Sequence, residues 1–300
     1  MFLEWGYAYL RRGRKVKKER SGMDRKDLRI MVIGAHPDDP EVNMAGTIAK
    51  FAESGARVRM VSVSCGDKGH RVLPPKELAE RRYGETQASA RTLGAERYIV
   101  LDGHDCELEA TMEMKLKVTK IIREFAPHII FTHRTCDYHA DHRAVGQILM
   151  DITYFLGVPY WCPEVPVPDV MPAVFFMRDK FTVPREIRPD VVVDVTDVQD
   201  QAADALCCHA SQFFEWLPPE LPGATEENPG VDGSVEDKRA FVKKYWFVRK
   251  EMDARRFGLS VRYPEVFELS EYGKQLSSNE IKAMFPECAI VRERESSGMR

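Results

Sequence analysis

No uninterrupted apolar run in these 300 residues reaches the ~20 that a membrane-spanning helix needs. A dominant sign of charge is also missing. Lys and Arg number 44 against 47 Asp and Glu, a formal net charge of −3, which excludes the basic balance of a chain whose main partner is nucleic acid. The seven cysteines are odd in number and include no C-x-x-C pair. A disulfide framework is therefore excluded, and a reducing, cytoplasmic setting is expected. There are no internal repeats. The chain is long enough for a substantial core, and it leaves the oligomeric state open, a homo-oligomer included.

The first 26 residues run from an apolar-aromatic patch at Phe2, Leu3, Trp5 and Tyr7 into a basic stretch from Arg11 to Arg20. A signal peptide has the opposite order, charges before the apolar segment. Residues 1–26 are thus expected to form a basic extension, disordered or helical, with Met23 as an alternative start. Residues 27–290 are expected to form a single domain, and 291–300 a tail that frays from Ala289 on.

Within the domain, strand-like and helix-like segments alternate. Strands are expected at Leu28 to Ile33, Arg57 to Ser64, Tyr98 to Leu101, His128 to Thr132, Ala173 to Met177 and Val191 to Val195. Helices are expected at Met44 to Ser54, Pro75 to Leu93, Thr111 to Phe125, Ala144 to Ile152, Val198 to Phe213 and Asp237 to Arg256. Such repeated units predict an α/β fold with a mostly parallel, helix-covered sheet. Gly157 to Pro172, rich in proline and aromatics, predicts a long loop that rims the site, and Pro218 to Gly233 a flexible one.

Two polar clusters follow strands and precede helices. The first is Gly34-Ala35-His36-Pro37-Asp38-Asp39-Pro40-Glu41, and the second is Asp137-Tyr138-His139-Ala140-Asp141-His142. Either alone fits a turn with an aspartate that caps the next helix. Together they place four metal-ligand or acid-base side chains (His36, Asp39, His139, His142) at strand ends, where ligands bind in open α/β sheets. Two histidines and a carboxylate make a catalytic zinc set with a position left open for water.

The paired motifs, Gly34-Ala35-His36-Pro37-Asp38-Asp39 followed by Glu41, and His139-x-Asp141-His142, resemble the LmbE/PIG-L family of zinc-dependent N-deacetylases, over roughly Asp27 to Gln212 and more weakly at Tyr263 to Phe267. The resemblance implies a Rossmann-like three-layer fold and hydrolysis of the acetamide of an N-acetylglucosamine-type amino sugar or its conjugate. It implies zinc, or another divalent cation such as iron(II), on His36, Asp39 and His142, with Asp38 as general base. His139 would stabilise the oxyanion as a protonated imidazole, with Asp141 orienting it and raising its pKa. Asp67, His70, Arg71 and Arg82, with Arg81 beside them, would face the sugar. Glu41 would hold the turn through backbone amides or support a ligand, while His104, His128, His133 and His209 are read as core or surface histidines. A metal-dependent phosphoesterase and a non-catalytic carbohydrate-binding protein are the alternatives. The phosphoesterase would need more metal ligands than these motifs offer, and the binding protein would have no use for Asp38.

Overall fold

In the computed structural model the described residues are 25–293. All but Arg25 and Lys26 of the expected basic extension, and residues 294–300 of the tail, lie outside them. Five strands run parallel: β1 (Arg29–Gly34), β2 (Arg57–Ser64), β3 (Arg97–Gly103), β4 (Ile129–Thr132) and β5 (Ala173–Phe176). With β6 (Val191–Asp194), β7 (Pro264–Gly273) and β8 (Ala289–Ile290) they form one sheet in the order β3-β2-β1-β4-β5-β7-β6-β8. β7 lies antiparallel between β5 and β6. The helices are α1 (Asp39–Glu53), α2 (Pro75–Leu93), α3 (Met112–Phe125), α4 (Ala140–Phe155), α5 (Gln199–Cys207), α6 (Ala224–Glu227), α7 (Val235–Val242), α8 (Val248–Arg256) and α9 (Ser278–Met284).

The sheet is covered on both faces, so its central strands read as unbroken apolar runs. In β1, Ile30 and Val32 join the core beneath α1, α2 and α5, while Met31 and Ile33 join the core beneath α3 and α4. Phe131 on β4 ties the far half to this centre, its ring 4.8 Å from Phe267 and 5.6 Å from Phe175.

Several element boundaries differ from expectation, each for a local reason. α1 begins at Asp39 rather than Met44, because the Asp38 carbonyl accepts from Val42 N (2.9 Å) and Pro40 has no N–H to lose in the first turn. α4 begins at Ala140 rather than Ala144, because His139 Nδ1 accepts from Asp141 N at 3.2 Å as an N-cap. The helix expected over 198–213 stops at Cys207, and the chain resumes as a wide π turn at Ser211–Trp216. A second π turn, Lys243–Phe247, joins α7 to α8. The loop from Pro218 to Gly233 is not structureless: it contains α6 and buries Pro218 and Ala224. β7 and α9 are additions to the expected elements, and the tail, expected to fray from Ala289, begins with β8 paired to Val191 and Val192.

The proline-rich loop does not rim the site. α4 starts at the carboxyl end of the sheet and runs back for 16 residues, about 24 Å, so the loop lies at the opposite end. There the buried Arg123 guanidinium donates to the carbonyls of Phe155, Val158, Cys162 and Val165. One cation thus satisfies four carbonyls that regular structure would otherwise have to pair.

Candidate metal and acid-base site

β1 lies between β2 and β4, and its connection leaves to one side while that of β4 leaves to the other. This is the switch point at which an open α/β sheet forms a crevice beyond its carboxyl ends. Both polar clusters open into it. Close backbone approach fixes the turn after β1, since a Cβ on Gly34 would stand 2.6 Å from the Asp39 Cβ. Gly146 plays the same part in α4, where a Cβ would meet the Arg134 carbonyl oxygen at 2.7 Å and that of His133 at 2.9 Å. Helix α4 can therefore press against the loop that carries His133.

Asp38 holds φ 145° and ψ −21°, a backbone conformation that costs a non-glycine residue of order 1–3 kcal/mol and tends to occur where a site demands it. The turn sends the adjacent aspartates to different surroundings. Asp39 Oδ2 accepts from the backbone N–H groups of Ala35 (2.9 Å) and His36 (2.8 Å) and lies 3.2 Å from His133 Nε2, while Oδ1 lies 3.3 Å from His142 Nε2. Burial pushes the Asp39 pKa up, but the His142 and His133 charges outweigh it and hold it well below the usual carboxylate range. Asp38 has no such partners. Burial, then the Asp39 charge, raise its pKa to about 7.

The four imidazoles of the crevice are held differently. His36 Nε2 is 2.9 Å from Asp141 Oδ2, and its Nδ1 is 3.4 Å from Asp39 Oδ2. His142 Nδ1 lies 3.2 Å from Asp137 Oδ1 without an aligned hydrogen bond, and its Nε2 faces Asp39. Each of these two rings turns one nitrogen to a supporting carboxylate and the other toward Asp39. Burial disfavours the charge on both, but for His36 the hydrogen bonds to Asp141 and Asp39 prevail and hold the pKa well above normal. For His142 the charge of Asp39, with Asp137, raises it to about 10. Protons held this firmly mark positions where a cation is favoured. His133 stacks on His142 with ring centres 4.1 Å apart, and His139 meets His36 edge-on at 4.6 Å.

Two donor groups of metal-binding spacing overlap here, His36-His139-His142 and Asp39-His133-His142. Nitrogen and carboxylate donors of this kind suit zinc or a similar divalent cation, and the supporting carboxylates on His36 and His142 are what such ligands require. The residues present fit a metal.

Some expectations need correction. Asp141 does not orient His139: its carboxylate takes His36 Nε2 and the N–H groups of Cys106 (2.7 Å) and Leu108 (3.3 Å), and stands 3.9 Å from His139 Nδ1. The His139 pKa is lowered, by burial and then by the charges of His36 and His142, so the ring is neutral rather than an imidazolium. Glu41 touches no backbone amide among the described residues; its carboxylate takes His209 Nε2 (2.8 Å), Ser89 Oγ (2.5 Å) and the Tyr98 hydroxyl (3.5 Å). His133 and His209 are therefore not ordinary core histidines. His133 touches Asp39. His209 is buried against Glu41, and its charge acts on Asp38. Only its place directly after β4 could have signalled His133, and nothing local signals His209.

The residues expected to face the sugar are engaged elsewhere. Asp67 holds His104 Nδ1 (2.7 Å) and Asp105 N (3.0 Å). His70 and Arg81 both bind Glu215, and Arg71 donates to Glu220 and to the Trp216 carbonyl. Arg82 is buried among the Gly69 carbonyl, Ser211, Gln212 and Asp105. These contacts fasten the loop after β2 to the Ser211–Trp216 turn beside the crevice. Of the set, Arg82 acts electrostatically on Asp38.

Residues 31–153 match the family model PIG-L, described as GlcNAc-PI de-N-acetylase. A diacetylchitobiose deacetylase of Thermococcus kodakarensis is 30% identical over 196 residues, covering 62% of this chain and 71% of the relative. A 1D-myo-inositol 2-acetamido-2-deoxy-alpha-D-glucopyranoside deacetylase of Saccharopolyspora erythraea is 30% identical over 192 residues, covering 54% and 68%. Among solved structures, an N,N'-diacetylchitobiose deacetylase from Pyrococcus horikoshii shares the fold with a TM-score of 0.66 at 24% identity, covering 82% of this chain and 85% of the other.

Proposed function

The chain belongs to the PIG-L family, and from that premise we propose that it hydrolyses the acetamide of an N-acetylglucosamine-type sugar or conjugate to acetate and free amine. In this reading His36, Asp39 and His142 hold one divalent cation, zinc, and Asp38 is the acid-base residue. The observation that carries the reading is the division between the adjacent aspartates: Asp39 is ionised and faces histidines, while Asp38 has a pKa of about 7 and faces none at contact distance. A general base works best when its pKa is near the working pH.

An ion bound there supplies Lewis acidity, polarising an amide carbonyl and making water a stronger acid. Asp38 takes a proton as the water oxygen bonds to the carbonyl carbon, and returns a proton to nitrogen as the C–N bond breaks. His139 acts as a neutral donor. Its Nδ1 is occupied in accepting from Asp141 N, so the ring hydrogen sits on Nε2, free to donate to the oxygen that gains negative charge. Asp141 serves by orienting His36, and His133 by orienting Asp39. Asp67, His70, Arg71 and Arg82 shape the loop beside the crevice and so bear on sugar binding through its position. No helix among the described residues is long and apolar enough to cross a membrane, and the seven free cysteines suit a reducing, cytoplasmic setting.

The test is acetate release from N-acetylglucosamine and diacetylchitobiose by zinc-loaded protein, with metal content measured in parallel. Asp39→Ala should lose metal and turnover together, whereas Asp38→Asn should keep metal and lose turnover. Full turnover by metal-free Asp39→Ala protein would overturn the reading.

A further inference from the structure

A second cleft adjoins the crevice, lined by Asn43 from α1, Arg178 beyond β5, Trp246, and Arg249, Lys250 and Asp253 from α8. Asn43 links it to the site, since its Nδ2 donates to the Asp39 carbonyl at 2.8 Å. The cations of this cleft are not equally provided for. Arg178 makes a two-pronged pair with Asp253 at 2.6 and 3.2 Å, and Lys250 pairs with Glu265. Arg249 makes no hydrogen bond or ion pair with any described residue. Three cations stand against two carboxylates, and the surplus charge is Arg249.

The position of Arg249 gives that surplus a use. Solvent reaches its side chain, yet the surrounding protein and then the neighbouring Arg178 lower its pKa, while the groups that favour its charge are Tyr138 and Asp38 from the site itself and, after them, Asp253, which is already paired with Arg178. A guanidinium held close to another cation, with no carboxylate of its own, is suited to an anion brought from outside. Its planar fork matches carboxylate and phosphate oxygens.

We propose that Arg249 binds an acidic group of the substrate, a carboxylate or phosphate carried beyond the acetamido sugar, so that anionic N-acetylglucosamine conjugates are preferred over neutral ones. This rests on the deacetylase reading for what happens to the bound sugar, but not for the binding itself. Arg249 is a specificity residue and takes no part in moving protons.

The experiment measures both dissociation constants and acetate release for zinc-loaded protein. The acidic probes are N-acetylglucosamine 1-phosphate, N-acetylglucosamine 6-phosphate and N-acetylmuramate, and diacetylchitobiose is the neutral reference. At least one acidic probe should bind roughly tenfold to a hundredfold more tightly than the neutral one, the range expected of a charged hydrogen-bonded pair. The phosphate and carboxylate arms identify which group is recognised. Arg249→Gln should erase the margin, Arg249→Lys should restore part of it, and added salt should shrink it. The difference belongs in Kd and KM rather than kcat, which a merely structural role would not reproduce. The proposal is overturned if no acidic probe is favoured by the parent protein, or if the margin survives in folded Arg249→Gln and Arg249→Lys proteins. If the margin appears and is lost in the variants while no probe releases acetate, Arg249 keeps its role and the deacetylase reading fails. Acetate release with no margin leaves the deacetylase reading standing and removes the role of Arg249.

Discussion

Replacing Asp38 by Asn should make the protein less active and, without metal, more stable. The carboxyl rises from an ordinary 3.8 to about 7 in the folded chain, through burial and the Asp39 charge. A group whose folded pKa lies above its unfolded value binds more protons when folded, so its contribution to stability falls as pH rises between the two values. Each pH unit of that interval is worth about 1.4 kcal/mol, so ionised Asp38 costs the metal-free fold about 4 kcal/mol above pH 7 and almost nothing below pH 4. Asn keeps the shape without the charge. Urea unfolding of metal-free protein at pH 4.5 and pH 8 reads the effect, since a few kcal/mol moves the midpoint by about 1 M or more. The parent should lose stability relative to Asp38→Asn as pH rises, and taking the difference between the two proteins removes the opposite contribution of Asp39. With zinc bound, kcat of the variant should fall by about 10²–10⁴-fold with little change in KM. Parallel pH dependence in parent and variant, or an Asn protein less stable at pH 8, would refute the account of Asp38 as a strained and desolvated base.

Three other perturbations separate support from ligation. Asp141→Asn weakens the carboxylate behind His36, so zinc affinity measured by competition with a chelator should fall by about 10–100-fold while the fold persists. His133→Gln should retain zinc at reduced affinity, because Gln can still donate to Asp39; complete loss of metal would make His133 a ligand in place of His36. His209→Leu leaves Glu41 buried without its cation, and denaturation should show a loss of about 3–5 kcal/mol, with Glu41→Gln in the same background recovering part of it.

The parallel half of the fold is legible in the sequence because each of its strands is short, apolar and followed by a polar turn, a pattern that local periodicity carries. β7 is not. Tyr263 to Phe267 carries only a faint likeness, and its placement between β5 and β6 depends on pairing across about 70 to 100 residues of chain, for which sequence offers no local mark. The same limit applies to the site. His36, Asp38, Asp39, His139, Asp141 and His142 lie in two tight motifs, so their grouping can be read; that Asp141 serves His36 rather than its near neighbour His139 cannot. The Glu41–His209 pair joins residues 168 apart, so no local pattern marks it.

What distinguishes the four histidines of the crevice is the nitrogen that faces away from the centre. His36 and His142 each have a carboxylate on that side, Asp141 within hydrogen-bond distance of His36 Nε2 and Asp137 as a charge 3.2 Å from His142 Nδ1, and a carboxylate so placed makes the other ring nitrogen a stronger donor to a cation. His139 uses its Nδ1 to accept a backbone N–H, which leaves a hydrogen rather than a lone pair on Nε2. His133 Nε2 lies 3.2 Å from both Asp39 Oδ2 and Ala35 N, so its tautomer sets whether it donates to the carboxylate or accepts from the backbone. The two overlapping donor groups share His142, and the carboxylates behind His36 and His142 set these two rings apart from His133 and His139.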